Sequence, residues 1–327
     1  MKSNLIKSRG FWVGLTAVVM SAALVITIAL VANPTKSQFD LNGGQQIGQN
    51  GSYTTYTSED ISSNSVVVGK KWTETVSGVS TLVATASEGY TFAYWNRTYS
   101  GTTLKFSGRD TIKVLNNANV TYTPVFVANS RIKMVSSLSD IANNYSSSNY
   151  DILMLSGDID AAGSYLNSAS QIFNNKVLDG AGYTIRNLQI KPTNNAKAGG
   201  LFSLLKNAII KNLTIEGAYV YSGALSMASS LGTFVGGMYQ NSVISNCLMK
   251  SSIVSTKENS QVGGLVGFAD STGLNSGTGS TDNCFIDGCT FAGSIMGYKV
   301  GAIICNNIQG TCTLIDNKTI GSMTALT

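Results

Sequence analysis

From about residue 52 onward, apolar and polar residues alternate with a period of two, the pattern of strands that bury one face. In "STLVATAS" (Ser80–Ser87) Leu82, Ala84 and Ala86 fall on one side, and in "TLKFSG" (Thr103–Gly108) Leu104 and Phe106 do the same. "TIKVL" and "VTYTPVFVA" continue the alternation, with "NNAN" (Asn116–Asn119) as the turn between them. Five or six short strands with little helix predict a small β domain over residues 52–128. "SLSDIANNYSS" departs from the period: Leu138, Ile141, Ala142 and Tyr145 follow helical spacing, with Ser139 as a candidate N-cap. "YDILMLSGDID" (Tyr150–Asp160) then returns to strand and turn.

The second departure is "FWVGLTAVVMSAALVITIALVA" (Phe11–Ala32), 22 residues without a charge. A signal-peptide core runs ~7–15 residues and a spanning helix needs ~20, so the length predicts an uncleaved transmembrane anchor. Cleavage near Ala29 or Ala32 is the alternative, and it would make the chain secreted. Lys2, Lys7 and Arg9 precede the run, which places residues 1–10 in the cytoplasm and the remainder outside. Residues 33–51 are polar and turn-rich and read as a linker.

Within residues 129–327 a short core recurs. It is "TIRNLQI" (Thr184–Ile190), "IIKNLTI" (Ile209–Ile215), "VISNCLM" (Val243–Met249), "FIDGCTF" (Phe285–Phe291) and "LIDNKTI" (Leu314–Ile320). Aligned on Ile185, Ile210, Ile244, Ile286 and Ile315, the copies are 25, 34, 42 and 29 residues apart. A fixed core at variable spacing predicts a solenoid whose coils carry loops of different length. Asn187, Asn212, Asn246, Gly288 and Asn317 are then the corner residues, because Asn and Gly tolerate left-handed backbone angles. Leu188, Leu213, Cys247, Cys289 and Lys318 are the inward positions beside them. Cys247 and Cys289 are expected to stack in the core, with a disulfide left open as the alternative.

A glycine ladder runs between these corners: "AGGLFS" (Ala198–Ser203), "FVGGMY" (Phe234–Tyr239), "QVGGLVGF" (Gln261–Phe268) and "KVGAIIC" (Lys299–Cys305), aligned at Gly199, Gly236, Gly263 and Gly301. Small pairs such as Gly263–Gly264 precede an apolar residue (Leu201, Met238, Leu265, Ile303). A phosphate-cradling loop occurs once, between a strand and a helix, and a P-loop adds Lys-Ser/Thr. Four copies with neither feature are structural.

Composition narrows the function classes. Only 12% of the chain is charged, and Ser, Thr, Asn and Gly take the space. The net charge of +5 has no dense basic cluster beyond the N-terminus, which gives nucleic acid no footprint. There are 0 histidines, which excludes a Ser-His-Asp triad, a Cys-His pair and every histidine-ligated metal. The 5 cysteines contain no C-x-x-C, so neither a metal nor a cofactor is expected.

Two resemblances bear on the whole. "LVATA" (Leu82–Ala86), "GYTFAYW" (Gly89–Trp95) and "YTPVF" (Tyr122–Phe126) resemble the internalin-type B-repeat, a β-grasp-like bacterial surface module; Tyr94 stands where that family carries Gly. "KVLDGAGYTIRNLQI" (Lys176–Ile190), "AGGLFSLLKNAIIKNLTIEG" and the Gly-Gly-Leu-Val-Gly ladder resemble the GLUG motif of bacterial surface proteins. The first implies an extracellular spacer or adhesion element without catalytic residues. The second implies a right-handed parallel β-helix at the cell surface, and the zinc peptidase attached in some relatives needs histidines that this chain lacks.

The expectation is therefore an all-β, non-enzymatic surface protein: a transmembrane helix, a β-grasp-like domain, then a parallel β-helix that binds a host, matrix or glycan ligand. Tyr90 and Tyr94 are candidate sugar contacts, although Tyr90, Phe92, Tyr94 and Trp95 also read as ordinary β-domain packing. The insertions Val220–Thr233 and Ala269–Asn283 are further places for a ligand. The rival is a β-helix polysaccharide lyase or glycosidase, which needs clustered carboxylates. Its candidates are Asp158, Asp160, Asp179, Glu216, Asp282, Asp287 and Asp316. A passive spacer is the third reading.

Overall fold

In the computed structural model the alternating segments are strands, and the description covers residues 51–57, 79–115, 120–166, 172–192, 198–221, 229–270, 284–307 and 312–327. The anchor segment 11–32, the turn 116–119 and much of both insertions lie outside these residues. Among the described residues no helix is long and apolar enough to cross a membrane.

Six antiparallel strands come first: β1 (Gly51–Thr57), β2 (Val79–Ala86), β3 (Tyr90–Tyr99), β4 (Thr102–Ser107), β5 (Thr111–Leu115) and β6 (Val120–Ala128). They form two three-stranded sheets, ordered β1-β2-β5 and β4-β3-β6. Leu82, Ala84, Leu104 and Phe106 are all buried, as the alternation requires. Pro124 lies in β6, an edge strand of its sheet, where its missing N–H costs least.

After β6 every pairing is parallel. β7 (Ile132–Val135) pairs with β8 (Ile152–Leu155), and these open a seven-stranded sheet. It continues through Val177–Asp179, Ile209–Lys211, Val243–Ser245, Cys284–Asp287 and Cys312–Ile315. Six-, five- and four-stranded parallel sheets run beside it, each gaining a strand per round of the chain. This arrangement is compatible with a solenoid. The inward positions stack: Leu153, Leu178, Ile210, Ile244 and Ile286 are fully buried, while Leu314 is 50% exposed because its strand is the edge of this sheet among the described residues. Burying each such side chain is worth about 1.5–3 kcal/mol.

The helix α1 (Leu138–Asn144) closes the other end, with Leu138 and Ile141 in the apolar core between the parallel sheets. Its N-cap is Ser137 rather than Ser139: the Ser137 hydroxyl accepts from the Asp140 N–H at 3.0 Å. Starting there brings Leu138 into the first turn, three residues from Ile141 on one face.

The repeat register differs from the sequence alignment in two places. Ile185 stacks on Ile215 in the six-stranded sheet, while Ile210 stacks on Leu178 in the seven-stranded one. Asn187 thus belongs to a different corner from Asn212 and Asn246, although all three have positive φ (56°, 53° and 52°), as does Gly288 at 64°. Two consecutive corners of one round share the same short pattern, which is why sequence alone merged them. On the last round the left-handed residue is Asp316 (φ 52°), one place before Asn317, because Leu314 rather than Ile315 pairs with Ile286. Asn317 instead binds the preceding round, accepting from Cys289 N and donating to Ile286 O, both at 2.8 Å.

The glycine ladder is corrected likewise. Gly263 pairs with Gly301, but Val262 pairs with Leu231 and Leu231 with Gly199, so the rung of Gly263 continues to Gly232 and Gly200. Gly236 lies in the five-stranded sheet, where a Cβ would come 2.4 Å from Gly199 N. Gly236 and Gly237 follow Val235, which pairs with Phe202, so they stand beside Ser203 and Leu204 rather than beside Gly199 and Gly200.

Candidate functional site

The outer face of the seven-stranded sheet carries two columns of side chains. Ile152, Val177, Ile209, Val243 and Phe285 form an apolar column that shares one core with Leu82, Phe92, Trp95 and Phe106 of the antiparallel sheets. Phe106 meets Phe285 edge-on at 5.2 Å. The N-terminal β unit is therefore fused along the parallel sheet.

The second column is polar: Asp179, Lys211, Ser245 and Asp287, all buried. Strand β3 and the β4–β5 segment satisfy it. Arg109 grips Asp287 through Nε–Oδ2 at 2.9 Å and Nη2–Oδ1 at 2.5 Å, and reaches Asp316 at 3.2 Å. Ser107 donates to Asp287 as well, and Ser245 does so at 3.2 Å. Lys211 donates to the Phe92 carbonyl at 2.8 Å and lies 3.3 Å from Asp179. Burial lowers the Lys211 pKa and Asp179 opposes the shift. Gly108 allows this closeness, since a Cβ there would sit 2.9 Å from Lys211 Cβ. A cleft of about 350 Å³ remains, bounded by Thr91, Arg109, Asp110, Lys211 and Asn246.

Amide side chains link successive rounds. Asn246 Nδ2 donates to Asn212 Oδ1 at 2.8 Å, and Asn212 Nδ2 to Asp179 Oδ1 at 3.1 Å. Sequence reading missed a parallel ladder, Asn241 to Asn207 at 3.2 Å and Asn207 to Asn175 at 2.6 Å, each residue with positive φ. Those asparagines lie outside the recurring Ile-containing core; their common signal is an Asn one or two residues after the first three strands of the five-stranded sheet.

The carboxylates proposed for a lyase or glycosidase are engaged in pairs. Asp158 and Glu216 flank Arg186 at 2.8 and 3.4 Å. Asp160 accepts from Asn187 Nδ2 at 2.9 Å and from Ala162 N–H at 2.8 Å. Asp282 lies outside the described residues. Among the described residues no three His, Cys, Asp or Glu side chains converge as metal ligands. Cys247 and Cys289 are buried in neighbouring rounds, and no disulfide joins any of the cysteines. Burial, reinforced by Cys289, raises the Cys247 pKa.

Tyr90 begins β3, half-buried opposite Ala128, while Phe92 and Trp95 are in the core. The β3–β6 register shifts between Phe92 and Tyr94. Tyr94 packs on the shared core, with Lys105 Nζ 5.6 Å from its ring. Burial, then the nearby Asp151 charge, raises the Tyr94 pKa. Lys105 also donates to Asn207, so both side chains belong to the junction. Burial lowers the Lys105 pKa to about 8.

A more open group lies on the two-stranded parallel sheet. The strands Gln189–Ile190 and Tyr219–Val220 pair in register, Gln189 beside Tyr219. Lys191 Nζ sits 4.4 Å from the Tyr165 ring centroid and 5.2 Å from that of Tyr221, and donates to the Tyr165 hydroxyl at 3.2 Å. Tyr219 is 43% exposed. Alternation predicts that Tyr219 and Tyr221 share an outward side, since Ile190 and Val220 turn inward to the core. The sequence signal was the "YVY" run at the start of the Val220–Thr233 insertion.

No protein-family model matches the chain, and no curated protein matches it.

Proposed function

We propose that this chain is a non-enzymatic bacterial surface protein in which a right-handed parallel β-helix, fused to a β-grasp-like module, presents a ligand-binding face. The observation that carries this reading is the Tyr165–Lys191–Tyr221 cluster beside exposed Tyr219, at the foot of an insertion. Aromatic rings that are part-exposed on a rigid sheet offer large contact area at low ordering cost. The GLUG-like and B-repeat-like motifs support a cell-surface setting, and the apolar run Phe11–Ala32 supports membrane attachment or secretion. Host, matrix or glycan molecules are the ligand classes. The ion-paired state of Asp158, Asp179, Glu216 and Asp287 supports a binding rather than a catalytic role.

A glycan and matrix-protein array probed with the full chain in mild detergent tests the reading. Selective retention of a few components, lost in Tyr219→Ala/Tyr221→Ala, is the expected result. Retention of none, or identical retention by the double variant, refutes it.

A further inference from the structure

We propose that the face formed by Tyr165, Lys191, Tyr219 and Tyr221 recognises an anionic saccharide, with the sugar's carboxylate or sulfate on Lys191 and its rings against the tyrosines. This rests on the binding role proposed above and specifies its ligand.

The Lys191 ammonium has three donors, of which Tyr165 Oη takes one. Its other contacts are two ring faces, and no carboxylate among the described residues lies within ion-pair distance. The nearby acids are committed elsewhere: Asp160 to Asn187, and Asp158 and Glu216 to Arg186. Lys191 is thus a positive centre held in place by aromatic faces, with donors left for an anion.

The neighbours define the rest of the ligand. Tyr219 opens the strand Tyr219–Val220, and Tyr221 continues its pairing through an N–H bond to Ile190 O at 2.8 Å, which sets the two tyrosine Cα atoms roughly 6.6 Å from each other. Gln189 lies beside Tyr219 and adds an amide that can both donate and accept. Rings, an amide and one unneutralised cation match a molecule with flat C–H faces, hydroxyls and a negative group. A neutral glucan leaves Lys191 without a partner, and a small inorganic anion leaves the tyrosines uncovered.

The experiment uses the full chain in mild detergent with three soluble probes of equal length: a polyuronate, a sulfated polysaccharide and a neutral glucan. Binding is read by calorimetry near 0.15 M salt, with melting curves as the folding check on every variant. The expected result is preference for one or both anionic probes over the glucan by about tenfold or more. Lys191→Met weakens that binding about tenfold, Lys191→Arg retains most of it, and Tyr219→Ala/Tyr221→Ala weakens it at unchanged salt dependence. The uronate and sulfate arms distinguish the two sources of charge. Lys113→Met, at an exposed position on the N-terminal unit, controls for the general positive charge of the chain. Equal loss from Lys113→Met and Lys191→Met overturns the inference, as does equal affinity for the neutral glucan. Array binding to other components with no anionic preference overturns it while leaving the broader binding role standing. Binding to nothing overturns both.

Discussion

Gly264→Ala adds one methyl group where there is no room for it. A Cβ at Gly264 would lie 2.0 Å from the Ala302 carbonyl oxygen and 2.4 Å from Phe291 Cδ2. The Phe291 ring can tilt, but the carbonyl is backbone of the next round and can yield only if the two rounds separate by about 1 Å. That separation strains two backbone bonds, Gly264 N–H to Gly301 O at 3.0 Å and Leu265 N–H to Ile303 O at 3.1 Å. Each is worth about 0.5–1.5 kcal/mol net, and overpacking typically costs about 1–3 kcal/mol more. Both terms together give an expected loss of about 2–6 kcal/mol. At ~2–4 °C per kcal/mol for a domain of 150–250 residues, the melting temperature falls by at least about 4 °C. Gly157→Ala is the matched control: nothing lies within 4 Å of its Cβ position, and its backbone is not left-handed. Its urea midpoint stays within about 0.5 kcal/mol of the parent. Coincident unfolding curves for Gly264→Ala and Gly157→Ala would refute the close-packing argument.

Other perturbations probe the junction and the core. Asp287→Ala leaves Arg109, 24% exposed, with Asp316 at 3.2 Å; the expected loss is about 2–3 kcal/mol, below the ~3–5 of a fully buried pair, and Arg109→Ala/Asp287→Ala should lose less than the sum of the singles in denaturant titrations. Folding lowers Lys105 from 10.5 to about 8, so the unfolded chain holds the extra proton between those values; this penalty is complete below about pH 8 and fades as pH rises toward 10.5. Parent stability should therefore rise relative to Lys105→Met over that window, and parallel pH profiles of the urea midpoint would exclude the effect. Burial raises the Cys247 and Cys312 pKa values, so a thiol reagent followed by mass spectrometry should label half-buried Cys305 first and these two only on unfolding. A fragment of residues 129–327 uncovers Ile152, Val177, Ile209, Val243 and Phe285, and it should bind a hydrophobic dye and aggregate where the full chain does not.

Strand content was legible in the sequence because alternation needs only neighbouring residues, and Leu82, Ala84, Leu104 and Phe106 are buried as it requires. The left-handed corners at Asn187, Asn212, Asn246 and Gly288 were legible for a similar reason, since the residue type itself tolerates the angle. Stacking was not. Whether Ile185 lies over Ile210 or Ile215, and whether Gly263 aligns with Gly232 or Gly236, depends on which of several near-identical segments buries its apolar residue against the previous round. The tyrosine–lysine group was hidden likewise: Tyr165, Lys191 and Tyr221 are far apart in the chain and meet only because parallel rounds bring them together.

Sequence alone determined that this protein is built from short strands, turned by Asn and Gly, with a low share of charged residues and no histidine. Only the tertiary structure decided that Asp179, Lys211, Ser245 and Asp287 line one buried column, and that Arg109, from far upstream, completes it. Local pattern sets which side of a strand a residue occupies. What covers that side is set by non-local packing, and here the cover of an outward face is another part of the same chain.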